Sequence, residues 1–559
     1  MSAKPTAAET SLVLDYDLLD LPTAQHKAGL AGLLIHLESL SQRKVPGAPV
    51  VERIEPLGAG IRVTRESLQV LFDDLYAAHP EEVLARSKYA NKTPIEERMI
   101  EVQREGKTAQ EKRFVYMDDR PTGPVLAHWL QEGKTSPWLH LWQNMLWSVL
   151  RAQPKTRGEY QNRAKDEPVG LTDKLWRGLI KAEKQRKKGA FVTESIAGSL
   201  FIGAQDKNAE RVGFVGRIEH NLLLHFWQWA SPIFAPRTVH PRSGKWEPQG
   251  FLIAIPEVAD LPQFIDDMIH YWRDLDPARS GYRPTDALVD LPAEGGLELL
   301  LRLAHQRLDA SQLLDSIAAV ELYHQEKQGN NVRQLVAERM RPNPRILDEY
   351  SRNRDRRAHP LFKHLLIDNL LQEQPWHHGS QDLFDRYPVE FFIHRPDSPR
   401  TRFFGIDVRK RFNQSIRDLE NREKAMQTNE DEALQRLIYK LIRNYVERRT
   451  RDRGAIADKP FAELTKADRH KYRELKPKVA TSAFLALRGR REQDITEYFT
   501  GTLCAVGYYL SEDDFLLLAS NLRQDPDKVK DLAMLALSAH SWTPRDQDDQ
   551  NAAATPNAD

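Results

Sequence analysis

From about Gly405 to His540 the chain carries only the prolines Pro460, Pro477 and Pro526, and apolar residues recur there every three to four positions. A pattern of that period buries one stripe of a helix, so it predicts successive amphipathic helices over 408–426, 430–453, 481–491, 494–509, 511–521 and 526–540. Ser511 with Asp514, and Asp525 before Pro526, have the composition of helix starts. The expected C-terminal domain is an all-α bundle. The residues before it do not share this pattern, and a chain of 559 residues exceeds the roughly 250–300 residues that one core can hold. The predicted fold class is therefore α+β, mostly helical: a mixed α/β region over 1–404, with internal divisions near 130 and 300, then the helical bundle over 405–542. The small, polar and acidic residues 543–559 are expected to be disordered.

Within the first region, alternating apolar residues from Leu12 precede Pro22-Thr23, after which Ala28, Ala31, Leu34, Ile35 and Leu37 share one helix face, narrowed by Gly29 and Gly32. Trp138, Trp142, Met145, Leu146 and Val149 recur at helical spacing and are expected in the core. Residues 199–256 are the most β-rich: a strand is predicted at 199–202, a helix at 218–229, and a hairpin pairing 234–239 with 250–255. One more short strand and turn are expected within 286–296, a long helical zone from Leu297 to Glu338, and a short strand at 389–394.

Hydrophobic residues make up 40% and charged residues 29%, which suits a globular chain. A single cysteine, Cys504, excludes an internal disulfide and any Cys-based zinc site, and fits a reducing compartment. No run approaches the ~18 apolar residues of a membrane span, and Met1–Thr10 lacks the basic-then-apolar order of a signal peptide. A prokaryotic-type cytoplasmic protein with no membrane partner is the expectation. The formal net charge is +1, yet the signs segregate along the chain. Residues 151–190 hold 12 basic and 5 acidic side chains, 256–321 hold 5 and 13, and 400–500 hold 25 and 16. Local fields steer a charged ligand within a Debye length of about 8 Å, so two basic surfaces are compatible with a neutral total.

Catalytic signatures are sparse. No phosphate-cradling Gly-rich loop, Gly-x-Ser-x-Gly turn, His-Glu-x-x-His or EF-hand loop occurs, and neither a metal nor a cofactor is expected. The pair His377-His378 is expected to be a surface or turn feature. Arg354 and His359, with four residues between them, match the spacing by which HEPN-type ribonucleases set an Arg and a His beside a scissile phosphate, which makes a metal-independent ribonuclease the alternative reading. Pro360 is awkward for the helical setting of that motif. Arg352, Arg354, Arg356 and Arg357 also suit a basic surface facing phosphates.

Binding chemistry is better represented. Lys155, Arg157, Arg163, Lys165, Lys184, Arg186, Lys187 and Lys188 could form one phosphate track, or the solvated face of a helix whose other side is buried around 175–180. Arg436, Lys440, Arg443 and Arg448 are candidates for the phosphate backbone in the C-terminal helices. For base edges, a loop bearing short amides and lysines is suitable, and Gln205, Lys207 and Asn208 are the first candidates, with Lys88, Asn91 and Lys92 the second. A plain strand-to-helix turn would account for the 203–208 composition equally well.

Several longer strings carry a family resemblance. Leu14-Asp15-Tyr16-Asp17-Leu18, Leu21 to Leu33, Met145 to Arg151, Ile202-Gly203-Ala204-Gln205 with Asn208-Ala209-Glu210, Leu222 to Trp227, Ala254 to Val258, and Leu291-Pro292 with Glu294 to Glu298 resemble the Myxococcus-type large subunit of type I CRISPR effector complexes (Cascade). The resemblance implies a non-catalytic subunit that reads the protospacer-adjacent motif in target double-stranded DNA, helps open it, holds the displaced single strand and stabilises the R-loop. As implied partners it brings the crRNA and the backbone, crRNA-handle-binding, pre-crRNA-processing and small subunits. A helicase-nuclease or a transposition adaptor would dock downstream. In RNA-guided systems the protein reads the short motif and base pairing reads the rest. The resemblance also implies that the C-terminal bundle is like the small subunit, with a basic surface suited to a single strand. Internal initiation at Met426, as in some related genes, would then give a separate product running from 426 to 559.

Overall fold

The alternating N-terminal residues form β1 (Leu12–Asp17), whose side chains are buried and exposed in strict turn, as period-two patterning requires. Thr23 then caps α1 (Ala24–Gln42), its side chain accepting a hydrogen bond from the His26 N–H. These elements belong to a computed structural model describing residues 11–89, 93–104, 107–122, 156–196, 201–202, 214–240, 246–274, 287–304, 313–328, 331–354, 358–394, 403–424, 429–506 and 509–543. The chain divides into two compact units, one of residues 1–237 with 248–347, the other of 238–247 with 348–559.

In the first unit, β1 pairs with β3 (Gly58–Val63), and β3 with β2 (Val50–Glu55), both antiparallel. After α2 (Arg65–Leu75) come β4 (Ala78–Ala85), β5 (Glu96–Arg104) and β6 (Lys107–Pro121), a separate antiparallel sheet in the order β4-β6-β5. Helices α3 (Arg157–Arg163) and α4 (Thr172–Arg186) and the ribbon β7 (Thr193–Ile196) with β8 (Phe214–Arg217) follow. Next are α5 (Ile218–Leu223), β9 (Ile233–Val239), β10 (Trp246–Pro248), β11 (Phe251–Val258), α6 (Leu261–Asp274), β12 (Leu288–Val289) and α7 (Pro292–Ala304). The short α8 (Leu313–Ser316) leads into β13 (Ile317–Gln328) and β14 (Asn331–Met340). The largest sheet runs β10-β9-β11-β13-β14, with β12 parallel to β9.

α1 is buried around nearly its whole circumference, the mark of a central helix. It packs against β11, α5, α6 and the 3-10 turn Trp227–Trp229. Gly29 and Gly32 make that approach possible: a Cβ on Gly29 would sit 2.3 Å from the Leu223 carbonyl oxygen, and one on Gly32 would sit 2.0 Å from that of Phe226. The same contact explains why the single helix predicted over 218–229 is instead α5 followed by a tight 3-10 turn.

Three more expectations fail here for physical reasons. Of the helical zone predicted from Leu297 to Glu338, residues up to Ala304 and Leu313–Ser316 are helical, and 317–340 is a β-hairpin. Its Glu, Gln, Ala and Leu favour helix locally, but β13 pairs with the fully buried β11 over Phe251–Val258, and that packing overrides propensity. The short strand predicted at 389–394 is a 3-10 turn, Val389–Phe391, which drops Phe392 into the core. Of the strand predicted at 199–202 only Phe201 and Ile202 are described, and they form a bend tied down by the Ile202 N–H to the Gln25 side chain at 3.1 Å. The hairpin pairing of β9 with β11 and the short strand β12 are found as expected. The aromatic stripe from Trp138 to Val149 lies outside the described residues.

The second unit contains α9 from Asp348 on (α9 is Pro344–Asn353), α10 (Pro360–Leu371), α11 (Ser380–Arg386), α12 (Phe404–Lys424), α13 (Glu430–Gly454), α14 (Lys466–Arg488), α15 (Gln493–Tyr498), α16 (Glu512–Gln524) and α17 (Pro526–His540). One core joins Phe384, Phe392, Phe404, Val408, Phe412, Ile438, Ile442, Phe484 and Leu532 to Leu537. Residues 348–404 share this core with the helices beyond 405, because Phe384 and Phe392 both stack edge-on against Phe404. α14 begins fifteen residues before the predicted 481 and carries Pro477 inside it, where neighbouring packing tolerates a residue that otherwise disfavours helix interiors. The helix predicted over 494–509 ends at Tyr498 and continues as a π turn, Phe499–Leu503, and a 3-10 turn, Cys504–Val506. Residues 544–559 lie outside the described residues.

Replacing Gly32 by Ala is expected to lower the unfolding midpoint of the first unit, by about 1–3 kcal/mol in urea titration, the usual cost of overpacking. Gly158→Ala, where an added Cβ meets nothing within 4 Å, should leave the midpoint unchanged or raise it.

Candidate nucleic-acid interface

The motif-reading candidates Gln205, Lys207, Asn208, Asn91 and Lys92 lie outside the described residues, as do Arg356 and Met426. Lys88 is described: its ammonium pairs with Glu97 at 3.1 Å and lies 5.3 Å above the Phe114 ring. Lys112 also pairs with Glu97, whose carboxyl these two cations hold below its ordinary pKa. The neighbouring Tyr89 packs on Tyr116 with ring centroids 4.3 Å apart. Lys88 is thus part of a self-neutralised corner of the β4-β6-β5 sheet.

Of the 155–188 track, Lys155 lies outside the described residues, Arg157 and Arg163 stand on α3 with Lys165 just beyond it, and Lys184 and Arg186 stand on the last turn of α4 with Lys187 and Lys188 following. Leu179 and Thr172 bury one side of α4, and Gly178 admits Ile218, whose Cδ1 would lie 1.9 Å from an added Cβ. Lys184, Arg186, Lys187 and Lys188 are exposed. Arg186 and Lys187 share Glu183 at 2.8 and 3.4 Å, so two of these four cations are already paired. Arg163 approaches Asp73 at 4.0 Å and donates to the Glu167 carbonyl.

Arg354 follows the end of α9 and His359 precedes α10, so the two stand in a connection and not on one helix. His359 is 9% exposed. Its Nδ1 accepts from the Leu361 N–H, its own N–H donates to Asp407 at 2.7 Å, and its ring meets Phe404 edge-on. That is an N-cap with Pro at the first helical position, not a proton shuttle open to RNA. Arg352 is exposed and paired with Asp348. The pair His377-His378 lies in a turn, as expected, with His378 exposed; His377 itself is buried and faces Asp431 at 3.5 Å, a carboxylate 54 residues away in sequence that Lys528 also meets at 2.6 Å.

α13 organises the most extended set of cations. Successive residues turn by about 100°, so Arg436, Lys440 and Arg443 share one face while Arg448 points about 80–140° away. Lys440, Arg443 and Arg448 are exposed, and Arg443 pairs with Glu447 at 2.9 Å. This row meets two cations that composition alone did not single out: Arg409 on α12, hydrogen-bonded to Tyr439, and Lys476 on α14. Lys476 is only 8% exposed and donates to the Trp542 carbonyl at 3.3 Å. Its pKa falls to about 8, chiefly through burial, with Arg409 and Arg443 pushing it down and Glu447 pulling it up. Nearby His540 is buried, lies 4.3 Å from the Tyr439 ring, and leaves Nε2 without a hydrogen-bond partner. Burial, Lys476, Arg409 and Arg443 keep it neutral. The sequence did hold a signal for Lys476, since it interrupts the buried row Tyr472, Val479, Ala480 and Ala483. Starting the predicted helix at 481, beyond Lys476, concealed it.

Among the described residues, no group of three or more His, Cys, Asp or Glu side chains is placed to hold a metal ion, and no helix is long and apolar enough to cross a membrane. Two protein-family models match the chain: the type I-B CRISPR Cas8b N-terminal domain over residues 48–312 and the type I-B CRISPR Cas8b C-terminal domain over residues 317–540. No curated protein matches it.

His359→Ala is expected to lower the unfolding midpoint of the second unit by about 1 kcal/mol through loss of the cap and to leave RNA incubated with either protein equally intact. Cleavage by the parent that disappears in the variant would reinstate the ribonuclease reading.

Proposed function

The chain belongs to the type I-B CRISPR Cas8b family, so it is a large subunit of a type I-B effector complex, and we propose that within that complex it binds nucleic acid without catalysing a reaction. In this reading it recognises the protospacer-adjacent motif in target double-stranded DNA, stabilises the R-loop by holding the displaced strand, and offers a docking face to a helicase-nuclease or a transposition adaptor. Its immediate neighbours are the crRNA and the backbone, handle-binding, processing and small subunits. The observation that carries the binding role is the cationic row Arg436, Lys440 and Arg443 on one face of α13, supplemented by Arg409 and Lys476 from the adjacent helices α12 and α14. Cations gathered on one helical surface bind a phosphate backbone by releasing counterions, without reading sequence.

Base reading is assigned to the 205–208 segment, which leads toward β8 and has the amide and lysine side chains that groove edges accept. The second set, Lys88 with Asn91 and Lys92, is weakened as a candidate by the Glu97 pairing of Lys88. A separate product beginning at Met426 would lack α12 and with it the buried Phe404, Val408, Phe412 and Leu419, so it would need another surface to cover that gap.

Charge reversal of Arg436, Lys440, Arg443 and Arg448 together should weaken single-strand binding in fluorescence anisotropy and flatten its dependence on salt, by about 0.7 in the log-log slope for each lost phosphate contact. An unchanged slope would show that this face meets protein. The double variant Lys207→Ala/Asn208→Ala should bind duplex bearing the adjacent motif less tightly, while crRNA assembly measured by gel filtration stays intact; equal binding by variant and parent would refute the 205–208 assignment.

A further inference from the structure

Most lysines whose stems are buried carry their ammonium out to solvent. Lys476 does not: it stays beneath the surface of the bundle, between α12, α13 and the end of α17. Among the described residues, the charged and titratable groups facing it come from four helices. α12 supplies Arg409, α13 supplies Tyr439, Arg443 and Glu447, α14 itself supplies Tyr472, and α17 supplies His540. Three cations therefore face one carboxylate, and that carboxylate is already bonded to Arg443. The ammonium gives one hydrogen bond to the Trp542 carbonyl and lies 5.6 Å from the centre of the Tyr472 ring, three N–H donors against one oxygen acceptor among the described residues, and the buried His540 Nε2 has no hydrogen-bond partner among them. Burying a cation without a matching anion is costly, and among the described residues this arrangement lacks one.

We propose that Arg409, Arg443 and Lys476 form a seat for one phosphate of a single-stranded nucleic-acid backbone, at the end of the cationic row on α13. The inference rests on the proposed single-strand binding role of this bundle and narrows it to one site. Two guanidiniums and an ammonium supply charge-assisted donors of the kind that phosphate oxygens accept. Arg443 is exposed and Arg409 half-buried, which leaves the cluster open toward solvent on the arginine side. Arg436 and Lys440 continue the positive row along the same helix face, as a chain of phosphates requires and a lone anion does not. Tyr439 and Tyr472 are buried, so they offer no stacking platform, and the seat selects phosphate over base identity.

Binding a phosphate there is coupled to a proton. Around neutral and mildly alkaline pH, Tyr439 and Tyr472 stay protonated and His540 stays neutral because burial drives their pKa values away from that range. Lys476 alone among the facing groups titrates near pH 8. An anion on the seat raises the lysine's pKa, so the complex takes up a proton and affinity falls as pH rises from about 7 to 9.

The test is anisotropy binding of the full-length parent, Lys476→Gln and Arg409→Gln to the oligonucleotides dT20 and U20 across salt and pH. Each variant is expected to bind both oligonucleotides about five- to tenfold more weakly, with a salt slope reduced by about 0.7. The Lys476→Gln variant should also lose the fall in affinity between pH 7 and 9. Removing a buried cation should leave its melting temperature at or above that of the parent, which separates a lost seat from a lost fold. Parent-like affinity, slope and pH profile in both variants would overturn the seat. If a companion Arg436→Glu/Lys440→Glu variant weakens binding in that case, the wider role of the bundle survives; if it does not, that role falls as well. A loss confined to dT20 would overturn a seat that recognises phosphate alone.

Discussion

The close passage of α1 against the backbone of residues 223–229 is the contact on which the first unit depends. A helix buried on nearly all sides must be approached by other elements from several directions at once, and side chains of ordinary size would hold the 3-10 segment away. Gly29 and Gly32 remove that obstacle on one face, and the carbonyls of Leu223 and Phe226 occupy the space. Phe226, Trp227 and Trp229 then enter the core, while β11 covers α1 from another side. The position of β11 in turn sets where β13 and β14 can pair. Close packing of this kind transmits small displacements, because protein interiors have little free volume to absorb them.

The second unit solves a different problem. Its apolar interior is continuous from residues 358–404 into the C-terminal helices, with Phe384, Phe392, Phe404 and Phe484 meeting edge to face or in stacks. Charge enters this interior in two ways. Asp431 is met by His377 at 3.5 Å and by Lys528 at 2.6 Å, contacts that hold its carboxyl below the usual range despite burial. Lys476 with Arg409 and Arg443 is the opposite case, an excess of one sign gathered where helices converge. The first is held by contacts within the unit; the second suits the phosphate seat proposed for it.

Legibility in the sequence followed the source of the information. Where a single element's own pattern decides, the residues were readable: the alternation of β1, the Thr23 start of α1, and α13 and α17, whose ends fall within a residue of expectation. The turn signals around 240–250 likewise led to the pairing of β9 with β11. Reading failed where a partner element decides. Residues 317–340 carry helix-forming side chains yet become a hairpin because β11 presents an open edge, and Pro477 sits inside α14 because neighbouring helices hold it there. His359 shows the same limit at a candidate site: its spacing from Arg354 suggested chemistry, and only the fold revealed a helix cap bonded to Asp407.

The sequence by itself determined the fold class, the succession of C-terminal helices, the separation of charge into segments and, through long ordered strings, the family. These follow from short-range periodicity and from residue identity, both of which are one-dimensional. Which cations stand together was decided only by the tertiary structure. Arg409, Arg443 and Lys476 lie tens of residues apart on three helices, and their shared environment arises from the packing of α12, α13, α14 and α17 around one core. Burial and low local dielectric then turn ordinary basic residues into groups with unmet charge, a property that no stretch of sequence contains alone.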